Sequence, residues 1–112
     1  MVRRHGGSPG TVVLLLSGEL DHDTAGPLRD ALGDTTAAAR LVVDGSGLRF
    51  CDSTGLNLLL RARLRLVAAG GRIDLSGLRP PVARMFEITG ARLVFRVYED
   101  AESALGEHGT GA

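Results

Sequence analysis

The stretch "RLVVDGSGLRFCDSTGLNLLL", residues 40–60, passes through three kinds of sequence in turn. An apolar, β-branched run gives way at 44–47 to glycines and small polar residues, and a polar cluster at 52–54 then opens a leucine-rich segment. The first part reads as a buried strand over 40–47 that closes in a turn. The last part reads as a helix from about Thr54 to the "AAGG" stop at 68–71, where glycine suits a left-handed C-cap. At about 100° per residue, Leu56, Leu59, Leu60, Leu64, Leu66 and Val67 share one broad face that should pack on a sheet. Asn57, Arg61 and Arg65 form the opposite stripe, and Leu58 lies near Arg65, off the buried side. Arg63 falls inside the apolar arc, where its stem has to snorkel or find a carboxylate. A strand that feeds a helix is the repeating unit of a parallel α/β fold.

The flanking sequence repeats that unit. "TVVLLLSG" (11–18) reads as a strand buried on both faces. In "ELDHDTAGPLRDALGD", Asp23 or Thr24 is an N-cap candidate, Pro27 fits a first turn, and a helix is expected from about Ala25 into the 30s. "RIDLSG" (72–77) alternates like a third strand, and "PPVARMFEITG" (80–90) is a short helix with proline at its start and glycine past its end. "LVFRVY" (93–98) reads as a fourth strand, and "EDAESALGEH" (99–108) as a closing helix with acids in its first turn. Residues 1–9 are expected to add an edge strand and 109–112 to fray. The fold class is therefore α/β. It is one domain over 1–112 with its core at about 11–105, built on a mixed, mostly parallel sheet of four to five strands flanked by about four helices.

Composition removes several functions. Thirteen basic residues, every one an arginine, balance thirteen acidic ones, which leaves no general electrostatic case for nucleic acid or a membrane surface. No apolar run approaches the roughly 18 residues needed to span a bilayer. The basic N-terminus is followed by glycines and not by an apolar stretch of signal type, so a cytoplasmic location is expected. The single cysteine, Cys51, rules out an internal disulfide and suits a reducing compartment.

In an open parallel sheet, ligands gather where strand-to-helix loops leave the carboxyl ends of the strands. Two loops qualify, "GELDHDTAG" and "DGSGLRFCDSTG", and both carry polar clusters. At the helix start Asp52 or Ser53 can satisfy orphan backbone N–H groups, contributing about 1 kcal/mol. Capping alone accounts for that composition. The functional alternative is Ser53 as a phosphoacceptor, since a phosphate suits the positive end of a helix dipole and changes the surface a partner meets. Other constellations carry less. "DHD" (21–23) has no further ligands spaced to complete a metal site. Ser53 lacks the G-x-S-x-G elbow of a hydrolase. Cys51 ends an apolar run and is expected to be a buried, inert thiol. "DGSG" (44–47) and "GG" (70–71) read as turns, and neither cradles a nucleotide.

"GELDHDTA" (18–25), "LRFCDSTGL" (48–56), "GGRIDL" (70–75) and "PPVARMFEITG" (80–90) resemble, in order and spacing, the bacterial anti-sigma factor antagonists. These are stand-alone STAS-domain proteins of the sporulation and stress-response type, and the similarity covers roughly residues 11–105. The resemblance implies a single STAS domain. It implies that Ser53 is phosphorylated by an anti-sigma factor that is itself an ATP-dependent serine kinase. Thr54 stands where many members carry a second serine and is a candidate second acceptor. Asp21 matches an acidic residue beside the acceptor at the partner surface, and Asp52 matches the acid before it; Gly55 and Leu58 complete the expected partner-binding set with Thr54. The resemblance further implies that the unmodified form binds the anti-sigma factor and frees the sigma factor, that the phosphorylated form does not bind, and that a protein phosphatase resets the switch. No catalytic residue, metal or cofactor is expected. The alternative use of the same fold is a non-catalytic STAS scaffold in a lipid-transport ABC assembly or a stress-sensing complex.

Overall fold

Five strands lie side by side in chain order, β1 (Val2–Gly6), β2 (Thr11–Leu20), β3 (Arg40–Cys51), β4 (Arg72–Ser76) and β5 (Arg96–Tyr98). The structure is a computed structural model and describes residues 2–6, 9–35 and 38–110. β1 is antiparallel to β2 and forms the expected edge; every other pairing is parallel. Parallel neighbours require crossovers, and α1 (Gly26–Asp34), α2 (Ser53–Ala68) and α3 (Pro80–Ile88) supply them. Alternation along the strands divides the core. Leu14, Leu16, Leu41, Val43, Ile73 and Leu75 point to α1, α2 and α3, while Val13, Val42 and Tyr98 point to α4 (Ala101–Thr110) through Ala104. α4 runs to Thr110; residues 111 and 112, where fraying was also expected, lie outside the described residues. Among the described residues no helix is long and apolar enough to cross a membrane.

Three expectations change. The "DGSG" segment is not a turn, because β3 continues through it to Cys51. Against β2 the register slips twice, between Leu15 and Ser17 and between Gly18 and Glu19, each time with an extra residue on β3. Glycine and small polar residues here mark β-bulges. A Cβ on Gly47 would lie 2.7 Å from the Leu16 carbonyl oxygen, so only glycine fits that approach. β5 is confined to 96–98, since Ala91–Leu93 form a 3-10 turn and Phe95 turns inward against Phe86, ring centroids 6.0 Å apart. The cap of α1 is Ala25 with no side-chain bond, in place of Asp23 or Thr24. "RIDLS" alternates as expected, Ile73 and Leu75 toward one face and Asp74 toward the other, and both faces are buried from Ile73 to Ser76.

The face of α2 also differs. Its buried residues are Gly55, Leu56, Leu59, Ala62 and Leu66, whereas Leu64 and Val67 are 65% and 51% exposed. The contact arc is rotated roughly 70° from the leucine-weighted face, toward the two small residues. Gly55 and Ala62 let the helix axis approach the sheet, and a count of leucines ignores them. Arg63 still reaches a partner, donating from Nε to the Val94 carbonyl at 3.0 Å.

On the α4 side the sheet buries a charge network. Arg40 is 2% exposed, and its Nε donates to Asp74 Oδ2 at 2.9 Å. Arg40 Nη2 lies 2.8 Å from the same oxygen, close enough for an ion pair but not aligned as a hydrogen bond. Arg72 donates to that oxygen from Nε and Nη2, at 2.9 and 2.7 Å, and the Arg40 guanidinium stacks 5.9 Å from the centroid of the Tyr98 ring.

Candidate functional site

The ends of β2 and β3 bring the two polar loops together. Leu20 pairs with Cys51, and the Asp52 N–H donates to the Leu20 carbonyl at 3.0 Å, so Asp21 and Asp52 leave the sheet side by side. The two bulges in β3, one extra residue each, together bring Cys51 opposite Leu20 after strands of unequal length.

Each aspartate organises its own loop. Asp52, in an extended conformation, is the N-cap of α2; its Oδ1 accepts from the N–H of Thr54 at 2.9 Å and of Gly55 at 3.3 Å. Asp21 Oδ1 accepts from the N–H of Asp23 and of Thr24 and from the Thr24 hydroxyl, all at 3.0 Å. The Thr24 hydroxyl also reaches the Glu19 carbonyl at 2.8 Å, closing the "ELDHDT" segment as a self-bonded turn. The hydrogen bond from the Thr24 side chain, helped by the backbone donors, holds the Asp21 carboxyl below its ordinary value.

Gly55 is where the helix meets the sheet. A Cβ there would lie 2.5 Å from Leu20 Cγ and Cδ2 and 3.0 Å from Cys51 Sγ. Glycine after the hydroxyls is thus a packing requirement. Gly55 was expected at a partner surface, but it is buried, and its part is to seat the helix start. Cys51 is buried beneath the same contact; burial, then the neighbouring Asp52 charge, pushes its thiol up to about 12, so it stays protonated and inert.

Ser53, the first residue of α2, is exposed, and its hydroxyl makes no hydrogen bond with the described residues. Thr54 is half-buried. Leu58, expected off the buried side, is half-buried and packs against the core's edge. Phe50, 49% exposed, precedes Cys51 and adds an aromatic surface beside the loops. Sequence reading missed it because it sits inside an apolar run. Arg29 of α1 has no signal in the sequence either, yet it lines a cleft with Thr54, Leu58 and Arg61. Nothing in one sequence pairs residues of two helices. Among the described residues no group of three or more His, Cys, Asp or Glu side chains is placed to hold a metal ion, and "DHD" projects from the Asp21 turn without further ligands.

This geometry has counterparts. The family model for "Mlab, STAS domain" matches residues 4–94. The anti-sigma F factor antagonist of Paenibacillus polymyxa is 29% identical over 101 residues, 88% of this chain and 86% of that protein. The one from Lysinibacillus sphaericus is 31% identical over 83 residues, 71% of each. The anti-sigma factor antagonist SpoIIAA in its unphosphorylated form superposes with a TM-score of 0.85 at 26% identity, covering 100% of this chain and 98% of that one. The phosphorylated form of the Bacillus protein gives 0.77 at 25% identity, covering 96% and 98%.

Proposed function

The chain belongs to the STAS-domain family, and from that premise we propose that it is an anti-sigma factor antagonist switched by phosphorylation of Ser53. Its relatives carry that name, and one of them is known in both phosphorylated and unphosphorylated forms. The observation that carries the reading is the state of Ser53: an exposed, unbonded hydroxyl on a helix start whose nearest donors Asp52 already satisfies. Its Oγ can therefore change chemistry without disturbing the fold.

The partner is an anti-sigma factor with serine kinase activity. It docks over Ser53, with Asp21, Asp52, Thr54 and the exposed part of Leu58 bordering the contact and Gly55 setting the helix in place. In the modifying step Ser53 Oγ takes the γ-phosphoryl of ATP, ADP leaves, and the hydroxyl proton passes to a base on the kinase. The product carries about −1.5 to −2 charge. Docking would then have to strip water from a dianion beside two aspartates, a cost of several kcal/mol, when about 1.4 kcal/mol is already tenfold in affinity. The sigma factor is released only by the unmodified form, and a protein phosphatase restores it. The chain itself performs no catalysis and acts in the cytoplasm.

Titration calorimetry against the purified anti-sigma factor tests this. Ser53→Ala should bind as tightly as the wild type and stay bound in the presence of ATP; Ser53→Asp should bind at least about tenfold more weakly. Equal affinities for the two variants would remove the switch. Absence of a phosphoryl mass gain on Ser53 after incubation with the kinase and ATP would favour the scaffold in a lipid-transport or stress-sensing assembly.

A further inference from the structure

Ser53 and Thr54 are neighbours in sequence but stand in opposite surroundings. Ser53 is exposed, with Asp52 before it and the Asp21 turn alongside. Thr54 lines a cleft of about 200 Å³ between α1 and α2, together with Arg29, Asn57, Leu58 and Arg61. On α2 the lining residues follow at i, i+3, i+4 and i+7, one stripe of the helix, and Arg29 faces them from α1. No carboxylate lines the cleft, and among the described residues neither guanidinium is paired. The helix terminus is not the source of attraction, because the N–H groups of Thr54 and Gly55 already donate to Asp52. Two guanidinium groups lining one cleft with no carboxylate among its walls give it a positive character suited to an anion.

We infer that this cleft is the receptacle for a phosphoryl group on Thr54, held within the molecule by Arg29 and Arg61. The inference rests on reading the start of α2 as a phosphoacceptor surface. Transfer from a nucleoside triphosphate by a protein kinase gives the phosphate ester at Thr54 Oγ1; the nucleoside diphosphate leaves, and the hydroxyl proton goes to the kinase's base. The dianion then accepts charge-assisted hydrogen bonds from both guanidinium groups, tying α1 to α2. The acids nearby, Asp52 at the cap and Asp21 and Asp23 in the turn, lie outside the cleft lining. A phosphate on Ser53 adds charge to the docking face, whereas one on Thr54 cancels charge inside it. Adjacent modifications of one helix start thus carry opposite signals.

Full-length protein with phosphothreonine genetically encoded at 54, or phosphoserine at 53, separates the two by phosphorus NMR across a pH titration. The second ionisation of the phosphothreonine should fall about one unit below its ordinary value near 6, while that of the phosphoserine should not fall. The double variant Arg29→Gln/Arg61→Gln should restore the phosphothreonine to its ordinary value and leave the phosphoserine unmoved; Arg29→Lys/Arg61→Lys should keep most of the lowering. Amide spectra of all proteins check that the fold is unchanged. A phosphothreonine that titrates at or above the phosphoserine, or one indifferent to loss of both arginines, overturns the inference. Neither result bears on whether phosphoserine at 53 blocks the anti-sigma factor, so this reading and the proposed function fail separately.

Discussion

Asp52 and Asp74 are both carboxylates at the heart of their regions, yet they bind in opposite ways. Asp52, at the exposed end of the sheet, accepts from backbone N–H groups two and three residues ahead of it. Asp74, inside the sheet, accepts from Arg40, 34 residues away, and from Arg72 on its own strand. One is satisfied locally and the other by tertiary structure. The helix start can therefore take on a new charge while the rest of the molecule keeps its bonds, and the interior cannot. A charge switch belongs at the end where each carboxylate is satisfied by the loop it sits in.

The largest effect should follow from breaking the interior partner. Asp74→Ala leaves the Arg40 charge buried without its counter-ion, and removing one member of such a pair costs about 3–5 kcal/mol. Urea denaturation should show a loss of that size. The double change Arg40→Met/Asp74→Leu should recover most of it, because apolar isosteres of a buried pair are often neutral or better.

Gly55→Ala ranks next and tests whether the helix start is truly seated on the sheet. The added methyl would lie 2.5 Å from Leu20 Cγ, well inside contact distance. Overpacking of this kind costs about 1–3 kcal/mol, which outweighs the helix propensity that alanine gains over glycine, up to about 1 kcal/mol. A double-mutant cycle with Leu20→Ala should show coupling between the two sites. Additive losses would mean that Leu20 is not what the methyl meets.

Asp52→Ala should cost about 1 kcal/mol, the ordinary worth of an N-cap, and leave the N–H groups of Thr54 and Gly55 to water. A loss comparable to that of Asp74→Ala would erase the contrast between local and long-range satisfaction.

What could be read from sequence follows the same division. The Asp52 cap, Pro27 in the first turn of α1 and the glycine stop after α2, with Gly70 at φ +85°, depend on residues within a few positions of each other. Those were legible. The first bulge of β3 shows in composition but reads as a turn, because a glycine required by the Leu16 carbonyl looks the same as a glycine required by a bend, and the second, at Arg49, leaves no such mark. The rotated face of α2 was hidden for a related reason: close approach is made by Gly55 and Ala62, and hydrophobicity scores register what fills space, not what vacates it. The Arg40–Asp74 pair and the Arg29–Arg61 cleft each unite residues from separate elements, and no periodicity within one element announces them.

The smallest effect, and the sharpest on the comparison, concerns Asp21. Its carboxyl is held below the ordinary 3.8 by the Thr24 hydroxyl and by two backbone donors. A lowered folded value means that the charged form is favoured in the native turn. Its contribution is therefore complete above about 3.8 and fades as pH falls through the lower folded value. Because the group is exposed and its bonds are local, acid should release the "ELDHDT" turn without unfolding the sheet. Amide NMR between pH 5 and pH 2 should show Asp23 and Thr24 shifting together with a midpoint below that of a free aspartate, while Val42 and Leu75 keep their native shifts until global acid unfolding. Thr24→Val, which keeps the shape and removes the hydroxyl donor, should raise that midpoint toward the ordinary value. If Asp23, Thr24 and the sheet instead moved as one transition, the turn would be bound into the core after all, and the separation between a switchable end and a fixed interior would not hold.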